Sequence, residues 1–398
     1  MNNKRLTKIY IALLFFAMIM FGASKQAFGA LISKIIAHYD IKMVQAGLLY
    51  SINSAGNFVS FFIVAIFVGR INKMLILGSS IFFMALSMFL ISTAPAFGLL
   101  FVCFALLGIF AATSDTMSNP IIADLRPDKL SGNISMLHGL YGVGSLCGPI
   151  IMEALSGRLS WSQIYGSISL VFIIYLVIYS VVVKRQWKTL TMYISNEKQS
   201  RISISDILKF FTEKRNILLW ITMLFYIGNQ GVLSAWIKRY VEIQLGLPVW
   251  GAYALSALWL GTTIGRLFIS PNLKVPTSLQ VFFGNLIALV SMIAGLSSGS
   301  AMGITAAAFI VGLGAGSTYP LLFAIGCGWY PGKTAFGVLM PSTASFIGFV
   351  IFPPFSGFVS DHFGMLFGIL VSTVCGLFTT VLSGMLHLNI RAQKQTAV

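Results

Sequence analysis

The chain carries twelve apolar runs, each bounded by charges, Gly or Pro and each long enough to cross the ~30 Å hydrocarbon core of a bilayer as a helix of ~20 residues. They cover 9–32, 44–67, 74–93, 96–119, 132–155, 161–183, 217–240, 250–270, 276–297, 299–325, 335–358 and 363–388. Hydrocarbon offers no water to bond an exposed amide, so these runs are expected to fold as an all-α integral membrane bundle. The 57% hydrophobic and 9% charged composition fits that class and excludes an ordinary soluble enzyme, which carries about 25% charged residues. A net charge of +16 brings nucleic acid to mind, but the basic residues cluster in short loops between spans, where they orient a membrane protein. No nucleic-acid partner is expected. The first run follows Lys4, Arg5 and Lys8 as a signal peptide would, yet it exceeds the usual 7–15-residue apolar core and eleven runs follow, so it is expected to remain an uncleaved helix. Cys103, Cys147, Cys327 and Cys375 show neither paired nor metal-ligand spacing and read as small packing residues.

Assigning loops to alternate sides puts 20 Lys and Arg residues, Arg266 among them, on the side of both termini. Five lie opposite (Lys34, Lys42, Arg158, Lys238 and Arg239), with Lys25 left inside a span. The excess places both termini in the cytoplasm. The expected domains are a six-helix bundle over 1–183, a cytoplasmic linker over 184–216 and a second six-helix bundle over 217–398. In the linker, Ile204, Ile207, Leu208 and Phe211 recur at helical spacing beside Lys209 and Lys214, the pattern of a short helix lying on the membrane surface. A shift of 204 residues superposes Gly108 on Gly312, Pro127 on Pro331 and Pro149 on Pro353, and Gly69-Arg70 and Gly265-Arg266 close spans two and eight. Duplicated halves imply a transporter with its site near mid-membrane where they meet; chance matching among abundant Gly and Pro is the competing explanation.

Charges inside lipid cost at least ~2.5–3.5 kcal/mol each, so they are expected to face a cavity or a partner. Asp115 and His138 are equidistant from the turn joining spans four and five, which puts them at similar depth on antiparallel helices. They can share a proton, the chemistry of a proton-coupled carrier, or form a static buried hydrogen bond. Lys25 lies toward the outer end of span one, level with Asn53 and with Asn57 one turn deeper, ~10 Å or more in depth from Asp115. A direct ion pair between the two is not expected. Lys25 either binds a negatively charged solute group or snorkels outward and bonds Asn53. Span seven carries Asn229 and Gln230 at mid-depth beside Tyr226 and Trp236, groups that grip polyols through amide bonds and ring stacking, or that bond one helix to another.

Several motifs resemble the major facilitator superfamily, in particular its branch of L-fucose permease and related hexose symporters. They are Gln45-Ala46-Gly47-Leu48, Asp115-Thr116-Met117-Ser118-Asn119-Pro120, His138-Gly139-Leu140-Tyr141-Gly142-Val143-Gly144 and Tyr226-Ile227-Gly228-Asn229-Gln230, with Trp236 to Tyr240 and Ile264-Gly265-Arg266. The resemblance implies twelve helices in two pseudo-symmetric halves and proton symport of a monosaccharide-like solute. It implies a protonatable Asp115 with His138 beside it, and solute contacts from Asn119 and Tyr141 besides the span-seven residues. Where the fucose permease has a span-one aspartate, this chain has Gly29, with Lys25 and Gln26 nearby. A sugar-binding carboxylate is thus replaced by a cation, which favours another sugar, a sugar acid or another anion, with Lys25 and Gln26 as added solute contacts. The loop Gly69-Arg70-Ile71-Asn72-Lys73 also lacks the superfamily's aspartate.

The expected function is proton-coupled uptake of a sugar or sugar-like solute, anionic ones included, by alternating access; the alternative is proton-antiport efflux of drugs or other amphipathic compounds. No Ser-His-Asp arrangement, HExxH or P-loop is found, so no enzyme activity and no cofactor are expected. The energy source is then a proton gradient, with sodium as the alternative ion. The expected partners are a small solute and the lipid bilayer, the expected working unit a monomer, and the expected location the cytoplasmic (inner) membrane of a bacterium.

Overall fold

The computed structural model describes residues 3–67, 70–125, 130–193, 212–330 and 334–396, which form helices with no strand among them. The first compact unit comprises Met1–Tyr39 and Leu49–Ser200, and the second Asp40–Leu48 and Arg201–Val398. The helices of the first unit are α1 (Asn3–Lys25), α2 (Ala27–Tyr39), most of α3 (Met43–Phe67), α4 (Lys73–Ser92), α5 (Phe97–Leu125), α6 (Leu130–Ser156) and α7 (Trp161–Tyr193). The second unit holds α8 (Lys214–Leu245), α9 (Pro248–Ile264), α10 (Thr277–Ser297), α11 (Ala301–Ala315), α12 (Thr318–Trp329), α13 (Thr334–Phe363) and α14 (Met365–Thr396). Among the described residues, eleven segments are long and apolar enough to cross a membrane. The fifth expected span is α6, whose 27 residues reach ~40 Å and whose Gly- and Ser-containing sequence is less apolar than the eleven.

Three spans are interrupted where the sequence suggests continuous helices. The first runs over Lys8–Tyr39, past the expected end at 32, but breaks at Gln26 between α1 and α2. The eighth continues from α9 through a π turn at Gly265–Ile269, so Arg266, counted with the cytoplasmic cations as the residue closing the expected span 250–270, lies within the candidate span Pro248–Asn272. The tenth breaks at Gly316 and Ser317, between α11 and α12. Prolines inside helices are accommodated elsewhere: Pro120 sits within α5, which carries on to Leu125. Lys238 and Arg239, counted with the outer-side cations at the end of the expected span 217–240, lie within α8, which runs on to Leu245, and Lys238 pairs with Glu242 at 3.4 Å. Asp40–Leu48 belongs with the second unit because the Asp361 carboxylate accepts from the Met43 and Val44 amides, both at 2.9 Å, capping α3. The amphipathic linker stretch with Ile204, Ile207, Leu208 and Phe211 lies outside the described residues, as do Pro127 and Pro331 of the repeat.

Both units contain the same helix crossing. In the first, a Cβ on Gly108 of α5 would overlap the Asn53 carbonyl of α3, and one on Gly56 would overlap that of Ala105. In the second, a Cβ on Gly312 of α11 would overlap the Leu258 carbonyl of α9, and one on Gly261 that of Phe309. Gly108 and Gly312 are the pair superposed by the 204-residue shift, so the repeat survives as packing geometry. Small residues at such crossings let helix backbones touch, which is how apolar helices associate in lipid. Gly108→Val and Gly312→Val are each expected to destabilise their unit by ~1–3 kcal/mol. The check is the melting midpoint of the detergent-purified variants; unchanged midpoints in both would refute the shared crossing.

Candidate functional site

In the first unit the break at Gln26 lies beside the buried cation. The Gln26 amide N–H reaches back to the Ala23 carbonyl at 3.2 Å, three residues away, and the helix resumes as Ala30 donates to the Gln26 carbonyl at 3.0 Å. The Gln26 side chain is buried, and its Nε2 has no hydrogen-bond partner. Lys25 Nζ donates to Asn53 Oδ1 at 3.2 Å, while Asn53 Nδ2 is fixed on the Phe104 carbonyl at 3.0 Å. With its amide turned to donate to the Gly108 carbonyl at 2.7 Å, Asn57 also accepts from Lys25 Nζ, at 3.1 Å. Lys25 is therefore level with Asn53, as its count from the turn suggests, and its four-carbon stem extends toward Asn57.

That extension brings its charge into the field of Asp115, which also faces His138. The backbone depths of Lys25 and Asp115 differ, but the side chain bridges much of the gap; no ion pair joins them among the described residues. Asn119 Nδ2 donates to the Asp115 carbonyl at 3.3 Å, one turn before Pro120, and the Asn119 Oδ1 is buried without a partner. Tyr141 is half-buried on α6, one turn from His138. Lys25, Asn53, Asp115 and His138 thus form one electrostatic cluster, bordered by unengaged amide atoms of Gln26 and Asn119.

In the second unit the expected residues separate into two groups. Trp236 is fully buried and its indole N–H donates to the Pro353 carbonyl at 3.0 Å. Asn229 Nδ2 donates to the Ser372 carbonyl at 2.8 Å. Both bonds tie α8 to neighbouring helices. The Tyr226 hydroxyl instead donates to Gln230 Oε1 at 3.2 Å, leaving the buried Gln230 Nε2 without a partner. Tyr226 also meets the Arg266 guanidinium, whose Nε donates to the Gly316 carbonyl at 2.6 Å. By sequence Arg266 closes span eight, beside Pro271 and Lys274, and is not counted among the site residues. The visible signal was the apolar Leu267-Phe268-Ile269 that continues the run beyond it.

Among the described residues no group of His, Cys, Asp and Glu is arranged to hold a metal. A duplicated set of membrane-spanning helices, with titratable groups on them and spans broken beside those groups, is the architecture on which secondary transporters are built. The sequence model described as Major Facilitator Superfamily matches residues 14–325, and the chain belongs to that family. It is 24% identical over 293 residues to Bypass of stop codon protein 6 of Saccharomyces cerevisiae, a match covering 66% of this chain and 56% of that protein. The chain thus spans little more than half the length of this relative. A crystal structure of a bacterial homologue of the human lysosomal transporter Spinster, inward-facing and unoccupied, superposes with a TM-score of 0.77 at 15% identity, covering 96% of this chain and 97% of the other. The Escherichia coli fucose:proton symporter superposes at 0.64 with 17% identity, covering 96% and 99%. These likenesses establish the fold.

The two groups of polar residues predict different phenotypes. Asn229→Ala and Trp236→Phe remove interhelical bonds and are expected to lower stability by ~0.6–2 kcal/mol. Gln26→Ala removes an amide nitrogen with no internal bond, so it is expected to leave the melting midpoint unchanged while weakening solute uptake. Melting curves and transport of the three purified variants check this; a large loss of stability in Gln26→Ala with normal uptake would reverse its assignment.

Proposed function

We propose that this transporter takes up a sugar or sugar-like solute together with a proton, by alternating access, with Asp115 as the proton carrier. The observation that carries the reading is the Asp115 carboxylate facing two basic groups, His138 and Lys25, inside one helical unit. A carboxylate in this position is neutralised either by its basic neighbours or by a proton. Solute that engages Lys25, Asn53 and Gln26 draws Lys25 away from Asp115 and favours the protonated acid. Binding of proton and solute then reinforce each other, and by linkage the effect is reciprocal. His138, on the neighbouring helix α6, hands the proton on. Asn119 supplies an unengaged acceptor one turn from Asp115, suited to a solute hydroxyl, and Tyr141 flanks it. In the second unit, Tyr226 and Gln230 offer the donors that a polyol or acid requires. The sugar and the proton in this reading are supported by the motif resemblance and by the fucose:proton symporter among the structural neighbours.

Proteoliposomes holding the purified protein test it, with labelled neutral hexoses and sugar acids supplied with and without an inward proton gradient. The wild-type protein is expected to accumulate solute above equilibrium only with the gradient. Asp115→Asn is expected to abolish that accumulation while retaining exchange of internal for external solute, because an amide can bond solute but cannot carry the proton. Gradient-driven accumulation undiminished in this variant would remove Asp115 from the mechanism, and extrusion of amphipathic compounds in its place would make the protein an efflux antiporter.

A further inference from the structure

The second unit contains, within a span, a cation that the proton-coupling cluster does not use. Arg266 lies inside the eighth span, half-buried, on a π turn, a deviation that recurs at functional sites. Among the described residues it makes no ion pair; Asp40 of its unit is exposed in the turn between α2 and α3, and Glu213, Glu242 and Asp361 are engaged elsewhere. Glu213 bonds Arg215 at 2.7 Å, Glu242 pairs with Lys238 at 3.4 Å, and Asp361 caps the amides of Met43 and Val44. Lys25 in the first unit differs, because Asp115 offsets its charge.

The surroundings of Arg266 are assembled from hydrogen-bond donors. The break in the tenth span exposes the Gly316 carbonyl, which takes the Arg266 Nε and anchors the guanidinium at its base. Its outer edge meets the Tyr226 hydroxyl, which in turn orients Gln230 by donating to Oε1. At either end of this chain of contacts is a polar atom more than nine-tenths buried and without a partner, Gln230 Nε2 at one end and the Ser317 hydroxyl at the other. Leaving buried donors unpaired is costly, and a ligand bearing acceptor oxygens relieves the cost. A guanidinium fork flanked by an amide N–H and a hydroxyl matches the two oxygens of a carboxylate, which accept from a planar fork in parallel.

We propose that Arg266 is the residue that selects an anionic solute: with Gln230 and Ser317 it binds a carboxylate on a sugar-like molecule, and Tyr226 positions the amide. The inference rests on the transport reading above and assigns its solute to the sugar acids.

The test uses glucose and glucuronate, which share a ring and differ at C6, on the full chain in proteoliposomes. Counterflow without a proton gradient is measured, so that a failure of proton coupling through Asp115 does not affect the result. Wild-type protein is expected to favour glucuronate, and glucuronate alone is expected to raise its melting midpoint. Arg266→Gln is expected to weaken glucuronate by ~10- to 100-fold in half-saturating concentration, with Arg266→Lys intermediate, as befits loss of a charge-assisted bidentate contact. Both variants should retain the wild-type melting midpoint in the absence of solute. Equal treatment of the two sugars by the wild type, or equal losses for both in Arg266→Gln, would overturn the proposal. So would a midpoint collapse in both variants, which would make Arg266 a brace for Gly316. If Arg266→Gln discriminates but Asp115→Asn still accumulates solute, the proton pathway fails and the anion site stands.

Discussion

Inside hydrocarbon every backbone N–H and C=O has to find its partner within the protein, and this constraint decides where the chain can depart from regular helix. Regular spans satisfy their own peptides and therefore have no main-chain group to offer a ligand or an ion. The interrupted ones do, and here the interruptions accompany the membrane-embedded cations: the first span breaks beside Lys25, the eighth widens into a π turn at Arg266, and the tenth opens the Gly316 carbonyl that receives the Arg266 Nε. Discontinuous helices near mid-membrane are how transporters present polar groups without exposing backbone to lipid.

Polar side chains in the spans are likewise divided by whether they are engaged. Trp236 on Pro353 and Asn229 on Ser372 hold helices together, as does the buried Ser80–Ser114 contact at 2.8 Å between α4 and α5. Gln26, Asn119, Gln230 and Ser317 each keep a buried polar atom unpaired. Native structures tolerate few such atoms, and those that persist beside a titratable or cationic group are better explained by a ligand than by packing. Glycine crossings such as those at Gly108 and Gly312 hold the helices of each unit at backbone contact, so neighbouring polar groups keep their positions.

Much of this was legible in the sequence because the bilayer imposes a length and an apolar composition on every span. The depth of Lys25 beside Asn53 followed from counting along two helices about their turn, and Asp115 and His138 followed from the same count. Helix interruptions were not legible. Nothing in Ser24-Lys25-Gln26-Ala27 distinguishes a broken turn from a regular one, and the Asn53 and Asn57 contacts of the Lys25 ammonium beside the break come from another helix. Arg266 was counted with the cytoplasmic cations as the residue closing span eight, whereas the helix carries on past it through a π turn. The separation of Trp236 and Asn229 from Gln230 was equally hidden, since all three lie on one helix within seven residues and only their partners on α13 and α14 tell them apart.

The two units therefore share a packing plan and differ in charge. The first encloses a cation together with a carboxylate that faces it; the second encloses a cation with donors around it and no ion pair to a described carboxylate. On the proposed reading this asymmetry has an energetic consequence for transport. A monoanionic solute bound at Arg266 and a proton bound at Asp115 add no net charge to the protein, so the loaded carrier faces the same membrane field as the empty one. The membrane potential, worth ~2.3 kcal/mol per charge per 100 mV, then neither drives nor opposes the loaded step, and the pH difference alone supplies the force. A neutral sugar carried with one proton would instead add a positive charge and draw on the potential as well. The charge difference between the units thus bears on which component of the proton gradient drives transport, and that choice follows from the solute that Arg266 admits.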